Sequence, residues 1–267
     1  MRIVGLGASL EVHPDGPRAD ELTDALTVAW SRCLHQPAEP ARDAGSLTLR
    51  LVEQQHAAPD RLTDRDATEF ESDDLATLLS AGTQLITRAL LAAQIGRLLL
   101  FHAGAVSHPE TGATLVFVAE GGTGKTTLAR TLGRHYGYLT DESVGIDEHL
   151  RVLPYPKPLS LRSPTIWPKL ETSPDALSLL TPPAESRVAK VVLLARDHTL
   201  TSPIVTELAL LDAIAALGPQ TSSLYRLPQG LHRCADLLDA TGGALEVRYA
   251  EASDLLPLAA DLIGAPQ

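Results

Sequence analysis

The chain has 267 residues, 44% of them hydrophobic, and a formal net charge of -11 that is spread along its length. The length allows one compact domain with an accessory part, and the negative charge argues against a nucleic-acid partner because polyanions are repelled. Cys33 and Cys234 lack a second ligand at metal spacing, and the longest apolar run is interrupted by polar residues, so we expect a cytoplasmic protein with buried thiols, no signal peptide and no membrane span.

Residues 1–72 predict a small α+β module. The stretch RIVGL is strand-like, ADELTDALTVAWSRCL has helical periodicity, and SLTLRLVEQ alternates with a period of two. The charged and proline-marked stretch at 56–74 predicts a surface connection. We therefore place a domain boundary after this module, with a second domain at 73–267.

The second domain begins with a predicted helix that runs from about residue 73 to 95. Two buried strands follow, RLLLFHAGAV and ATLVFVA, and the short turn between them predicts a hairpin. Short strands and a proline-rich loop come next, then the continuous apolar strand AKVVLLAR. Further helices are predicted near 206–217, 228–239 and 251–263.

The stretch LVFVAEGGTGKTTLAR matches a phosphate-binding loop, in which a strand enters a glycine-rich turn and Gly-Lys-Thr opens a helix. Glycines are needed because backbone N–H groups must curl around a phosphate. Lys125 supplies a point charge for the β- and γ-phosphates, and Thr126 is placed to ligate Mg²⁺. The predicted nucleotide-binding residues are Glu120, Gly121, Gly122, Thr123, Gly124, Lys125, Thr126 and Thr127. The nucleotide is ATP or GTP.

Three further residues suggest phosphoryl transfer. His102 ends the strand before the hairpin turn, and Asp141 and Glu142 follow a short strand beyond the loop. Adjacent acids can divide the work of such a site, one holding Mg²⁺ and the other accepting the proton of an acceptor hydroxyl. The alternatives are a core histidine and a solvated pair of acids in a turn.

Two other segments carry candidate contacts. The loop VLPYPKPLSLR displays Tyr155, Lys157 and Arg162, and it is either a structural wrap or a source of contacts with the γ-phosphate or the acceptor. Arg187 and Arg196 flank the strand AKVVLLAR and contact either the nucleotide or acidic surface residues.

The segments FHAGAV, AEGGTGKTTLA, YLTDESVGID and PYPKPLSLR, in this order across residues 96–162, resemble the HPr kinase/phosphorylase-like proteins. The nucleotide core of that family is similar to that of phosphoenolpyruvate carboxykinase. The resemblance implies that His102 orients Asp141, that Asp141 is the base toward a hydroxyl, and that Glu142 helps to bind Mg²⁺. The chain differs in its Asp-Glu pair and in Ala119, and no HPr-docking segment is identifiable, so the acceptor is expected to differ from HPr.

The sequence thus predicts an α/β fold, in which a P-loop nucleotide-binding domain with a mixed, partly antiparallel sheet follows a small α+β module. It predicts an ATP- and Mg²⁺-dependent kinase acting on a hydroxyl of a peptide, a protein serine or a small metabolite. The alternatives are an ATP-hydrolysing switch or assembly factor and a non-catalytic nucleotide-binding scaffold. A homo-oligomer is compatible with the sequence. The predicted catalytic residues are Asp141, His102 and Lys125, and the predicted metal ligands are Thr126, Asp141 and Glu142.

Overall fold

The computed structural model describes residues 1–34, 41–53, 68–162 and 168–266. The described residues form fifteen strands and six α-helices. The strands are β1 Arg2–Gly5, β2 Ala8–Asp15, β3 Arg42–Leu51, β4 Glu69–Ser72, β5 Leu99–Phe101, β6 Ala103–Ser107, β7 Ala113–Val118, β8 Gly137–Thr140, β9 Val144–Ile146, β10 Val152–Leu153, β11 Leu159–Leu161, β12 Leu170–Thr172, β13 Arg187–Arg196, β14 Ile204–Glu207 and β15 Ala244–Tyr249. The helices are α1 Ala19–Ala29, α2 Leu75–Gln94, α3 Lys125–Leu132, α4 Leu210–Leu217, α5 Gly230–Ala240 and α6 Leu256–Ile263.

The chain divides into two compact units. The first comprises Met1–Gln94 and Pro156–Leu177, and the second comprises Ile95–Tyr155 and Ser178–Gln267. The division therefore follows α2, whereas the sequence predicted a boundary after residue 72. A segment from the middle of the chain also returns to the first unit, which no local pattern in the sequence indicated.

The first unit is built on a four-stranded sheet in the order β1-β2-β3-β4. β1 and β2 form an antiparallel hairpin, whereas β2, β3 and β4 run parallel. α1 connects the parallel strands β2 and β3, and β11 and β12 form a separate antiparallel ribbon. This is the α+β arrangement predicted for residues 1–72, enlarged by α2 and the returning segment. The predicted surface connection at 56–74 lies mostly outside the described residues, and its end forms β4.

α2 is the one helix in the described part of the chain that is long and apolar enough to cross a membrane. It packs instead against β2, β3 and β4 of the first unit. The apolar face buries Leu78, Leu85, Ile86 and Leu90. At its carboxyl end the Gln94 side chain donates a hydrogen bond of 2.8 Å to the carbonyl oxygen of Leu6. Its hydropathy is therefore accounted for by burial against a sheet, as in the core helix of a globular unit.

The second unit contains a six-stranded sheet in the order β14-β15-β13-β7-β6-β8. β13 runs parallel to both β7 and β15, whereas the pairs β6–β7, β6–β8 and β14–β15 are antiparallel. The predicted hairpin is confirmed, with Ala103 opposite Val118. The sheet is therefore mixed, as the sequence predicted. A second sheet of three strands has the order β10-β9-β5.

The hydrophobic core of the second unit joins strands of both its sheets to α4 and α5. Cys234 belongs to this core and Cys33 is buried in the first unit, and both thiols are free. The helix predicted from residue 206 begins only at Leu210. Residues 204–207 instead pair with β15 as the edge strand β14, and this pairing satisfies backbone groups that a helix would otherwise bond internally.

Candidate functional site

A glycine-rich turn joins a buried strand to a helix in the second unit. β7 ends at Val118 and α3 begins at Lys125, and we call residues 119–124 the glycine loop. Gly122 and Gly124 have φ angles of 89° and 102°. L-amino acids with a Cβ rarely adopt this region, so the two glycines allow the chain to reverse between strand and helix. The local order of strand, loop and helix is the one predicted from the sequence.

The backbone at Gly124 gives a testable prediction for stability. Replacing Gly124 by alanine is expected to lower the free energy of unfolding by about 1–3 kcal/mol, because φ of 102° is strained for alanine. The added Cβ would meet no atom closer than 3.7 Å, so the penalty comes from the backbone rather than from a clash. Gly121→Ala is the matched control, since its Cβ would meet nothing within 4 Å and its φ is not positive. Denaturant unfolding measures both variants, and equal stabilities would contradict the expectation.

Lys125 begins α3 and turns back over the glycine loop. Its side chain is 7% exposed, and its ammonium group donates hydrogen bonds to the carbonyl oxygens of Ala119 and Glu120, the latter at 3.1 Å. Burial lowers the pKa of Lys125 below its ordinary value, and the carboxylates of Glu142 and Asp141 oppose this shift. The ammonium group of Lys125 is therefore held against the glycine loop, near the carboxylates of Asp141 and Glu142.

Thr126, the next residue of α3, is hydrogen-bonded directly to Asp141. Its hydroxyl donates to Oδ2 of Asp141 at 2.8 Å, and the hydroxyl of Tyr138 donates to Oδ1 at 3.2 Å. Asp141 is 3% exposed. The turn after β8 thus places the Asp141 carboxylate next to the first turn of α3. Thr127 is exposed on the outer side of α3.

His102 lies at a break in what the sequence predicted as one strand. β5 and β6 are separated at this residue and belong to different sheets. β8 and β9 are likewise separated by residues 141–143, and they pair with β6 and β5 respectively. The two breaks lie next to each other. The N–H of Ala103, which follows His102, donates a hydrogen bond of 3.1 Å to the carbonyl oxygen of Glu142. His102 is thereby placed beside the acidic pair.

The imidazole of His102 is surrounded by charged groups. Burial lowers its pKa below the ordinary value, and the positive charge of Lys125 lowers it further. The carboxylate of Glu142, a hydrogen bond to the Glu142 carbonyl and the charge of Asp141 act in the opposite direction. The neutral form of the ring is therefore favoured at neutral pH. The structure thus brings together five predicted site residues, which are His102, Lys125, Thr126, Asp141 and Glu142.

A cavity of about 770 Å³ adjoins the glycine loop within the second unit. Its wall combines apolar residues of β7 and β13 with polar and charged side chains in similar proportion. The lining residues are 118–123 of β7 and the glycine loop, 193–196 of β13, and His198, Ala216, Pro219, Gln220 and Glu246.

Arg196 and Tyr249 approach the glycine loop from β13 and β15. Each has a polar side-chain atom 3.7 Å from the position that a Cβ at Gly124 would take. The Tyr249 hydroxyl also donates to the carbonyl oxygen of Thr123 at 3.3 Å, and Arg196 forms an ion pair of 3.3 Å with Glu251. The sequence left two alternatives for Arg196, a nucleotide contact or an ion pair with a surface acid. In the structure Arg196 lines the cavity and also pairs with Glu251.

The remaining candidates are not brought to the loop by the described contacts. Tyr155 is fully buried in the second unit, where its N–H donates to the carbonyl oxygen of Leu139. Lys157 and Arg162 belong to the first unit, in which Lys157 is 1% exposed and donates to the carbonyl oxygen of Pro158. Arg187 is exposed, and its guanidinium donates to the carbonyl oxygen of His149 at 2.9 Å.

Hard oxygen donors at the start of α3 are suited to Mg²⁺. The hydroxyl of Thr126 and the carboxylate of Asp141 are ligand types that this ion prefers, and phosphate oxygens commonly complete its shell. Among the residues that the structure describes, no group of three or more His, Cys, Asp and Glu side chains could hold a metal ion alone.

The second unit is thus a mixed α/β unit with a glycine loop between a central strand and a helix. Neither a protein-family model nor a curated protein sequence matches the chain. Among solved structures, the chain is similar to the HPr(Ser) kinase/phosphatase from Coxiella burnetii, with a TM-score of 0.31 and 12% sequence identity. The match covers 60% of this chain and 89% of that chain, and it is a distant structural similarity only.

Proposed function

We propose that the second unit is an ATP- and Mg²⁺-dependent kinase that transfers the γ-phosphoryl group to a hydroxyl of a peptide, a protein serine or a small metabolite. The observation that carries the proposal is the hydrogen bond of 2.8 Å between Thr126 and Asp141. It joins the helix that follows the glycine loop to the acidic pair, so that the proposed phosphate-binding and proton-accepting groups would share one site.

The glycine loop and α3 would hold the phosphates. Backbone N–H groups of residues 121–126 and the positive end of the helix dipole favour an anion at this place. Lys125 would exchange its hydrogen bonds to the loop carbonyls for phosphate oxygens. Thr126 and Asp141 would hold Mg²⁺, which supplies charge neutralisation and orientation of the β- and γ-phosphates when it is bound.

The acidic pair favours transfer to a hydroxyl over the two alternative functions. An ATP-driven switch needs a residue that orients water and a segment that responds to the γ-phosphate, and a scaffold needs neither acid. Here the two acids are adjacent, and the break at His102 holds the imidazole beside them. The chain therefore offers a donor site with an acid available for the acceptor proton.

The experiment that tests this function is label transfer from γ-labelled ATP. The purified protein is incubated with labelled ATP, Mg²⁺ and an extract of the cells that carry the gene, and mass spectrometry identifies labelled products. We expect a phosphorylated peptide, protein or metabolite that forms with the wild type and fails to form with Lys125→Ala. Release of phosphate without any labelled acceptor would favour the ATP-driven switch, and a lack of ATP binding would refute the proposal.

A further inference from the structure

A buried phenol lies directly against the acidic pair. Tyr138 on β8 is fully buried, and its hydroxyl donates to Oδ1 of Asp141 at 3.2 Å. The other carboxylate oxygen, Oδ2, accepts the hydrogen bond of Thr126 at 2.8 Å. The two oxygens of one carboxylate are therefore bonded by hydroxyls from two different elements, the strand β8 and the first turn of α3.

Two hydroxyl donors on opposite oxygens fix the plane of a carboxylate. The phenol is held in the interior of the unit, so Asp141 keeps one oxygen on Tyr138 and the other on Thr126. The Thr126 hydroxyl is the group that would ligate Mg²⁺ in the proposed kinase. Outer partners of this type orient metal ligands in many sites.

We infer that Tyr138 is a positioning residue that holds Asp141 on the Mg²⁺ side of the site, and that Glu142 accepts the proton of the acceptor hydroxyl. The inference rests on the proposed kinase function and reverses the roles that the family resemblance implies for the two acids. Glu142 is half-buried, whereas Asp141 is 3% exposed. An acceptor can therefore approach Glu142 more readily than Asp141.

The backbone of Glu142 is held in place by two hydrogen bonds. Its N–H donates to the Thr140 hydroxyl at 3.3 Å, and its carbonyl oxygen accepts the N–H of Ala103 at 3.1 Å. Its carboxylate raises the pKa of both Lys125 and His102, and it does so more than the carboxylate of Asp141. Glu142 is therefore close enough to affect both Lys125 and His102, and its backbone is bonded to the residue that follows His102.

The transfer step balances with these roles. The O–H bond of the acceptor breaks and its proton passes to the carboxylate of Glu142. The acceptor oxygen forms a bond to the γ-phosphorus, and the bond from that phosphorus to the β–γ bridging oxygen breaks. ADP leaves with the bonding electron pair, and the protonated Glu142 returns its proton to solvent.

The test compares ATP binding with and without Mg²⁺, by isothermal titration calorimetry, for the wild type and the variants Tyr138→Phe, Asp141→Asn and Glu142→Gln. Wild-type affinity for ATP is expected to rise when Mg²⁺ is present. Tyr138→Phe is expected to lose about tenfold or more of this Mg²⁺-dependent gain, and Asp141→Asn most of it. Glu142→Gln is expected to retain the gain. Without Mg²⁺, the affinity of Tyr138→Phe should equal that of the wild type.

Tyr136→Phe is the matched control, because Tyr136 is a buried tyrosine whose hydroxyl donates to the carbonyl oxygen of Gly264 at 3.1 Å. It should lose stability from the missing hydroxyl while keeping the Mg²⁺-dependent gain. A merely structural role for Tyr138 would instead weaken ATP binding by the same factor in both conditions. If Tyr138→Phe does not fold, the comparison of Asp141→Asn with Glu142→Gln decides.

Two results would overturn the inference and leave the kinase proposal standing. One is a full Mg²⁺-dependent gain in Tyr138→Phe. The other is loss of the gain in Glu142→Gln with its retention in Asp141→Asn. A wild type that binds no ATP in either condition would overturn the kinase proposal and this inference together.

Discussion

Replacing Lys125 by alanine is expected to weaken ATP binding in the presence of Mg²⁺ by about 30- to 5,000-fold. The range corresponds to about 2–5 kcal/mol, the usual result of truncating one partner of a buried, hydrogen-bonded charge pair. Lys125 is 7% exposed and already directed toward the loop carbonyls. A bound triphosphate would therefore lose its one buried cation in the glycine loop and its first helical turn. Isothermal titration calorimetry with ATP measures the effect.

Lys190 offers a control lysine within the same unit. It lies near the start of β13, opposite Leu115 of β7, whereas the glycine loop follows the end of β7. Its ammonium group donates to the carbonyl oxygen of Gly242 at 2.7 Å. Lys190→Ala should bind ATP as the wild type does, with only a change in thermal stability. ATP affinity within threefold of the wild type in Lys125→Ala would show that the glycine loop does not hold the phosphates in the way proposed.

The parts of the fold that the sequence predicts well are those set by neighbouring residues. The glycine loop, its flanking strand and helix, and the β6–β7 hairpin all lie within Ala103–Leu132, and local geometry determines them. Two units were predicted with a boundary after residue 72, but the observed division follows α2, because the apolar face of α2 is equally compatible with packing against either set of strands. The structure packs α2 against β2, β3 and β4, and the sequence of the helix alone does not specify these partners.

The site shows the same contrast. Lys125 and Thr126 follow from a local motif, and His102, Asp141 and Glu142 were found as polar residues at strand ends. Their proximity depends on two strand breaks that coincide across different pairings, which a one-dimensional pattern does not encode.

Tyr138 was missed as a site residue for a related reason. Within β8 it has the pattern of an ordinary core aromatic, since every residue of that strand is buried. Its hydroxyl acquires a role only because the turn after Thr140 brings Asp141 back over the strand. An aromatic hydroxyl three positions before an acid is a weak sequence signal, because alternation along a strand would place the two side chains on opposite faces.

Replacing Glu142 by glutamine is expected to lower label transfer from ATP by about 10²- to 10⁴-fold, the usual contribution of a general base. The amide preserves the size of the side chain but cannot take the acceptor proton at neutral pH. ATP affinity should change little, so the loss should fall on turnover rather than on binding. The extract assay with γ-labelled ATP measures the first quantity and calorimetry measures the second.

Glu148→Gln provides the matched control, because it makes the same change in charge at an exposed glutamate in the turn after β9. Its label transfer should equal that of the wild type. If Glu142→Gln instead kept transfer within threefold of the wild type, and Asp141→Asn lost transfer while keeping its Mg²⁺-dependent ATP binding, Asp141 would be the base. Asp141 would then have to take the acceptor proton through a lone pair that neither Thr126 nor Tyr138 uses. Burial makes Asp141 the less favourable base in the fold as it stands, because Asp141 is 3% exposed and an acceptor can approach the half-buried Glu142 more readily.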